Sequence, residues 1–334
     1  MRAVVYERYG PPEVLHLAEV PTPEPRPDEV RVRVHAAGVS MSDHYIRSLD
    51  VPWVLWLPIR VALGFFRPRR HIPGIVYSGV VDRVGAEITK LAPGDAVYGM
   101  TGFDFGAYAE YKCLRTKDGS KTGCIALKPG NVSHEEATVA AYGGLLALQA
   151  IDHARIEAGD RVLIYGGSGT SGTMAIQIAK AMGAEVTGVA SARNLPLLRR
   201  IGADHVIDYR TEAITDSGRR YDLILDIAGN RPLAELRRAL APEGRAVMVG
   251  GSGSRATMGF ERTIRGLLLS PFVGRALRSL FAQPNLEDLQ ALAAWVESGA
   301  LVPVVDRTFP LAEAATAVAR VGAGHGHGKT VVAV

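Results

Sequence analysis

Residues 162–165 read Val-Leu-Ile-Tyr and run directly into Gly166, Gly167, Ser168, Gly169, Thr170, Ser171 and Gly172. A short apolar run that empties into a glycine-rich turn reads as a buried strand ending at a tight bend. Residues 174–182 then read as a helix, with Ala175, Ile176, Ile178 and Ala179 apolar. Gly167, Gly169 and Gly172 match G-x-G-x-x-G in the context it requires, strand before and helix after. The first glycine permits the tight turn, the second lets backbone approach a pyrophosphate, and the third lets helix pack close to strand. The free N–H groups and the dipole at the helix start favour phosphate. A dinucleotide site at Gly167, Ser168, Gly169, Thr170, Ser171 and Gly172 is therefore expected. The plainer alternative is a structural glycine turn.

A second strand follows at residues 185–190. Sites selective for NAD place Asp or Glu at the end of this strand, on the ribose hydroxyls. Residues 189–194 read Val-Ala-Ser-Ala-Arg-Asn, with no acid. Ser191 and Arg193 offer a hydroxyl and a guanidinium, which suit a 2′-phosphate. NADPH is the cofactor expected. Tyr209, after a strand at residues 205–208, is placed to lie along the same phosphate or the adenine. Arg193 as a solvated helix-start residue is the alternative.

Before the glycine turn the chain reads as short strands separated by Pro and Gly, at residues 4–6, 14–17, 29–36, 79–84 and 96–99. Such a pattern suggests a β-rich, partly barrel-like domain. Ser133 and Glu136 form a capping box, so a helix should run from there toward Ile151. Beyond Val162 strands and helices alternate, with strands at 162–165, 185–190, 205–208, 223–226 and 246–250, which gives a doubly wound parallel sheet. Near Pro284 the pattern changes again. Residues 286–297 read as an amphipathic helix, and 302–307 and 330–334 as strands returning to the first domain. The fold expected is α/β: a doubly wound parallel sheet at 131–283, inserted into a discontinuous β-rich domain at 1–130 and 284–334. A nicotinamide would lie in the cleft between them.

Composition narrows the function. Cys113 and Cys124 are the only cysteines among 334 residues, which excludes a disulfide framework and a four-cysteine zinc site and fits a reducing cytoplasm. The most apolar stretch, 51–66, is too short to span a membrane and is interrupted by Pro52, Pro58 and Arg60. Residues 1–6 lack a signal-peptide layout. The net charge of +4 comes from scattered basic pairs rather than a strip interleaved with aromatics, so nucleic acid is not an expected partner. His325 and His327, in a glycine-rich stretch, read as an exposed turn before they read as metal ligands.

Taken together, these pieces resemble the zinc-independent branch of the medium-chain dehydrogenase/reductase superfamily, the quinone oxidoreductases of the zeta-crystallin type. The resemblance covers essentially the whole chain. It rests on the glycine turn, on 37–48 (Ala-Gly-Val-Ser-Met-Ser-Asp-His-Tyr-Ile-Arg-Ser), 72–81 (Ile-Pro-Gly-Ile-Val-Tyr-Ser-Gly-Val-Val), 106–111 (Gly-Ala-Tyr-Ala-Glu-Tyr), 198–209 and 328–332 (Gly-Lys-Thr-Val-Val). It implies a Rossmann domain inserted into a GroES-like domain, and a homodimer. Zinc-dependent relatives supply a thiolate in C-x-[ST]-D, then histidine and glutamate in G-H-E. Here Ser40 stands for the thiolate, and Ile75 and Val76 for the other two. Apolar side chains cannot bind zinc, so no catalytic metal is expected.

Without a Lewis acid, hydrogen-bond donors must polarise a carbonyl. The resemblance puts the donor tyrosine at Tyr45, and Ser40 where the family has asparagine. Asp43 would fix local backbone. Tyr142 is placed to line the cleft on the cofactor side; Tyr77 and Tyr111 read as packed rings. Leu146 falls where relatives carry a threonine near the nicotinamide. Gly229, Gly250 and Gly251 follow strand ends and would let backbone approach nicotinamide and ribose. The reaction implied is hydride transfer from NADPH to a quinone or to the β-carbon of an enone. Residues 51–66, with Trp53, Trp56, Phe65 and Phe66, would form a lid or wall for a hydrophobic acceptor, or else a surface helix or dimer contact. Residues 277–282 offer an edge for pairing two copies. Two rival readings remain. One is an enoyl-thioester reductase using Arg67, Arg69 and Arg70 for a carrier phosphate. The other is a non-catalytic NADPH-binding sensor or partner module.

Overall fold

The computed structural model describes residues 1–51, 53–117, 123–229, 231–249, 277–280, 282–324 and 326–334. At the start, β1 (Arg2–Val5) and β2 (His16–Glu19) form an antiparallel ribbon. The strand expected at 14–17 begins later, because Pro11 and Pro12 set a 3₁₀ turn at Pro12–Val14. β3 (Glu29–Val39) follows, then α1 (Met41–Ser48) and α2 (Trp53–Leu63). The next strands are β4 (Val76–Val84), β5 (Ala96–Met100), β6 (Tyr111–Arg115) and β7 (Cys124–Leu127). Val30, Val32 and Val34 alternate inward from β3 and are buried with Val81 and Val97, as period-two patterning requires.

Ser133 starts the expected helix. Its hydroxyl accepts from the Glu136 amide, and the Glu136 carboxylate accepts from the Ser133 amide. The helix is in three pieces: α3 (His134–Val139), one wide π-helical turn at Ala140–Gly144, and α4 (Leu145–Ala154).

The alternating region gives β8 (Arg161–Tyr165), α5 (Thr170–Ala181), β9 (Glu185–Ala190), α6 (Leu195–Arg200), β10 (His205–Asp208), β11 (Tyr221–Asp226), α7 (Leu233–Ala239), β12 (Leu240–Met248) and β13 (Leu277–Ser279). Every pairing in this six-stranded sheet is parallel, in the order β10-β9-β8-β11-β12-β13. Residues 162–165 are buried, as a central parallel strand covered on both faces must be. From β8 the chain winds outward to β10; from β11 it winds the other way. The crevice at the carboxyl ends of β8 and β11 is thus the topological switch point, where open α/β sheets bind ligands.

Asn285 caps α8 (Leu286–Glu297) by accepting from the Asp288 amide. β14 (Val305–Pro310), α9 (Ala314–Gly322) and β15 (Lys329–Ala333) complete the chain. The strand expected from 302 starts at Val305. The Gln177 amide on α5 takes both backbone groups of Val302, leaving none for a ladder there. β15 pairs with β14 and β3, so the order of the second sheet is β14-β15-β3-β4-β5-β7, with β6 also on β3. One apolar core crosses between the two sheets: Ile75, Val76 and Tyr98 are buried with Met174, Leu225 and Leu289. The Tyr98 hydroxyl donates to the Leu289 carbonyl at 2.5 Å. Each such large side chain contributes about 1.5–3 kcal/mol by burial. Among the described residues no helix is long and apolar enough to cross a membrane.

Candidate active site

The glycine loop lies at the switch point. Gly172 faces the turn so closely that a Cβ there would stand 2.2 Å from the Gly166 carbonyl oxygen. Only glycine lets α5 start against that turn. The first amides of α5 belong to an unpaired first turn, directed out of the helix end, and this cradle fits a dinucleotide pyrophosphate. The Thr170 side chain turns away from that cradle, and its hydroxyl donates to the Gly328 carbonyl at 2.8 Å. The Gly328 amide donates to the Ser168 carbonyl at 2.7 Å. The loop is therefore sewn to the residue that precedes β15.

The selectivity residues collect at the end of β9. Ser191 is buried and Arg193 exposed. Asn194 between them and α6 donates to the Ser168 hydroxyl at 3.1 Å, which draws this segment onto the glycine loop. The Tyr209 amide donates to the Ala190 carbonyl, so Tyr209 stands beside Ser191. Its ring is half-exposed, 6.3 Å from that of Tyr165. On the other side of the switch point, Gly229 adopts a left-handed conformation, and its amide donates to Asp226. Gly250 and Gly251 lie outside the described residues.

Across the cleft, Ser40 is the N-cap of α1. Its amide and its hydroxyl both donate to the Asp43 carboxylate, each at 2.7 Å. The Ser40 proton is thus committed to Asp43 rather than aimed at a substrate. Asp43 is 3% exposed. Burial pushes its carboxyl up, while the Ser40 hydrogen bonds, Lys329 and Tyr108 act the other way. Tyr142 projects from the wide turn, with the hydroxyls of Ser40 and Ser42 beside its own; burial pushes its phenol up. The Lys329 ammonium nitrogen is 4.2 Å from the Tyr142 ring centroid. Ser40, Asp43, Tyr108 and Lys329 are thus buried in one polar cluster, with the partly buried Tyr142 at its side.

Tyr45 is half-buried two residues along α1 from Asp43. Its described neighbours are the His44 ring, edge-on at 5.5 Å, and Asp50. Burial and the Asp50 charge push its phenol up. None of its described contacts reaches the Tyr142–Lys329 cluster. Sequence reasoning missed Lys329 and Tyr108, although both lie in stretches that carry the family resemblance. The one available signal was a lysine opening a strand bound for the interior.

Ile75 and Val76 are buried in the apolar core. Tyr77 is fully buried and donates to the Cys124 carbonyl, as a packed ring would. Of residues 51–66, all but Pro52 are described. α2 lies on the surface, with Trp53 76% and Phe66 88% exposed, and the Arg60 guanidinium packs on Tyr9, Trp56 and Phe65. Arg70 pairs with Asp104 at 2.5 Å, and Arg67 and Arg69 are exposed. His327 pairs with Asp306 at 3.3 Å; His325 lies outside the described residues.

Residues 26–156 match the alcohol dehydrogenase GroES-like domain, and residues 201–332 match the zinc-binding dehydrogenase family. The chain is 30% identical to an NADPH-dependent alkenal/one oxidoreductase of Arabidopsis thaliana, over 99% of its own length and 79% of the relative's. It is 30% identical to a quinone oxidoreductase of Sus scrofa, over 95% and 92%. The solved quinone oxidoreductase of Coxiella burnetii superposes with a TM-score of 0.86 at 31% identity, covering 100% of this chain and 99% of that one.

Proposed function

Because the chain belongs to the medium-chain dehydrogenase/reductase superfamily, in its quinone oxidoreductase branch, we propose that it reduces a quinone or an α,β-unsaturated carbonyl with NADPH and without zinc. NADPH, when bound, supplies hydride from C4 of its nicotinamide. The protein binds and orients. The amides of Ser168 and of Thr170, Ser171 and Gly172 at the start of α5 take the pyrophosphate, the glycines at 167 and 169 leave room for it, Ser191 and Arg193 take the 2′-phosphate, and Tyr209 covers the adenosine end. Gly229 lets backbone approach the nicotinamide ribose, and Tyr142 borders the cleft. Tyr45 donates to the acceptor oxygen as negative charge develops. Ser40 assists by holding Asp43 and the start of α1. The absence of zinc is supported by Ser40, Ile75 and Val76 at the positions where zinc-dependent relatives have ligands.

The observation that carries this reading is the seam between Thr170, Ser168 and Gly328, which ties the glycine loop to the residue before Lys329 in the buried polar cluster. The acceptor is a small molecule. We read the assembly as a homodimer in the cytoplasm, with edge strand β13 as the candidate contact. The test follows NADPH absorbance with 1,4-benzoquinone, 9,10-phenanthrenequinone and an alkyl enone, with NADH in parallel. NADPH-selective turnover is expected. Cofactor binding with no oxidation by any acceptor would overturn the reading.

A further inference from the structure

Lys329 is a buried cation with no part in the chemistry proposed above. It opens β15 and is 1% exposed. Its Nζ has no hydrogen-bond partner among the described residues. An ammonium buried without hydrogen bonds is costly. Gly38 on β3 makes room for it: a Cβ there would stand 2.6 Å from the lysine Cε. Burial pulls the amine down to about 7, with Asp43 opposing that pull.

The surroundings leave this charge one close target. Asp43 faces it from α1, but one carboxylate oxygen already accepts both Ser40 donors. Tyr108 and Tyr6 face Asp43 in turn, and Arg47 faces Tyr6. The Tyr142 ring lies 4.2 Å from the nitrogen. Tyr142 is also next to Gly143, where a Cβ would meet Thr170 at 2.7 Å, so the wide turn that carries the ring lies against the start of α5. A cation on a phenol face is held by the ring quadrupole, and it stabilises the phenolate more than the phenol. The cation therefore opposes the upward push of burial on the phenol, and the O–H is a better donor with the lysine protonated than with it neutral.

We propose that Tyr142 is a second hydrogen-bond donor to the acceptor oxygen, and that Lys329 is its positioning residue, fixing the ring and strengthening the O–H. This rests on the reductase reading. When hydride reaches the acceptor carbon, the carbonyl π electrons move to oxygen, and the Tyr142 O–H points its hydrogen bond there.

The test has two arms. The first uses the protein without cofactor, labelled with [¹³C]lysine and titrated by NMR. One lysine with a midpoint near 7 is expected, absent in Lys329→Met and moved lower in Tyr142→Leu. A Lys329 midpoint indifferent to Tyr142 would overturn the pairing. The second arm is a double-mutant cycle of Lys329→Met and Tyr142→Phe on kcat/KM for phenanthrenequinone at pH 6. Each single change is expected to lower kcat/KM about 10- to 100-fold, with the double no worse than the poorer single. In the wild type kcat/KM falls as pH rises through about 7, and that limb vanishes in both variants. Losses that multiply, in variants that still unfold cooperatively and bind NADPH, would overturn the positioning role. A wild type that reduces no acceptor overturns the reductase reading and the acceptor role with it, while the first arm still decides whether lysine and tyrosine are paired.

Discussion

The hydroxyl of Thr170 donates to the Gly328 carbonyl across 2.8 Å, and so joins the first turn of α5 to the residue before β15. A side chain of the glycine loop's helix is thereby tied to the strand that carries Lys329. Thr170→Val keeps the shape and removes the donor. A stability loss of about 1 kcal/mol is expected, with a raised KM for NADPH. Urea unfolding and cofactor titration would check both. An unchanged KM would mean that the seam does not position the loop.

Two glycines of the loop should separate packing from binding. Gly172→Ala places a Cβ 2.2 Å from the Gly166 carbonyl, so stability should fall by about 1–3 kcal/mol along with NADPH affinity. At Gly169 the nearest atom to an added Cβ is 3.6 Å away. Gly169→Ala should therefore fold normally and still bind NADPH poorly, because the pyrophosphate needs that space. Fluorescence titration of both variants, beside thermal unfolding, would expose a failure of this distinction.

Arg193 is exposed and can be changed without disturbing the core. Arg193→Gln should weaken NADPH binding by about 1.5–3 kcal/mol, as for a lost charge-assisted hydrogen bond, and leave NADH nearly untouched. Equal losses for both cofactors would place the 2′-phosphate elsewhere.

Tyr45→Phe removes the hydroxyl expected to donate to the acceptor. If Tyr45 is the principal donor, kcat should fall about 100-fold with NADPH binding intact. Full turnover in this variant would move the donor role to Tyr142.

Lys329 also predicts how stability depends on pH. Its amine is depressed in the fold to about 7 from an ordinary 10.5. Between those values the unfolded chain binds more protons than the folded one, so stability rises with pH across that window, by about 1.4 kcal/mol per unit at most. Below about 7 both states are protonated and the full penalty applies. Lys329→Met should remove the slope, so its advantage over the wild type is largest at pH 6 and shrinks toward pH 10. Denaturant midpoints at pH 6, 8 and 10 would measure it. Parallel curves for both proteins would show that the lysine is not depressed.

Much of this was readable from residue order. The run 162–172 announces strand, turn and helix, because glycine spacing and apolar runs are local signals. The alternation beyond Val162 and the capping box at Ser133 and Glu136 are local in the same sense. What the sequence concealed was decided by partners far along the chain. Gln177 takes the backbone of Val302 and delays β14. The wide turn at Ala140–Gly144 forms where α5 packs against Gly143. Ser40 reads as a candidate donor until Asp43 is seen to hold its proton. Lys329 reads as the first residue of a strand, and only its enclosure by β3, α1 and the wide turn makes it a charge without a hydrogen-bond partner.

The seat between β14 and β3 is filled by β15, which leaves the ribosome almost a whole chain after β3 does. Residues 161–248 can complete most of their own sheet during synthesis, as units generally do when they emerge. β6 covers Glu29–Arg33 on that side of β3, but Ala36–Val39 must meanwhile wait unpaired, a template for wrong pairing. The same late strand brings Lys329 and the Gly328 clasp. Assembly of the candidate site and closure of this seam are therefore one event, and a nascent chain stalled before it should be both inert and prone to aggregate.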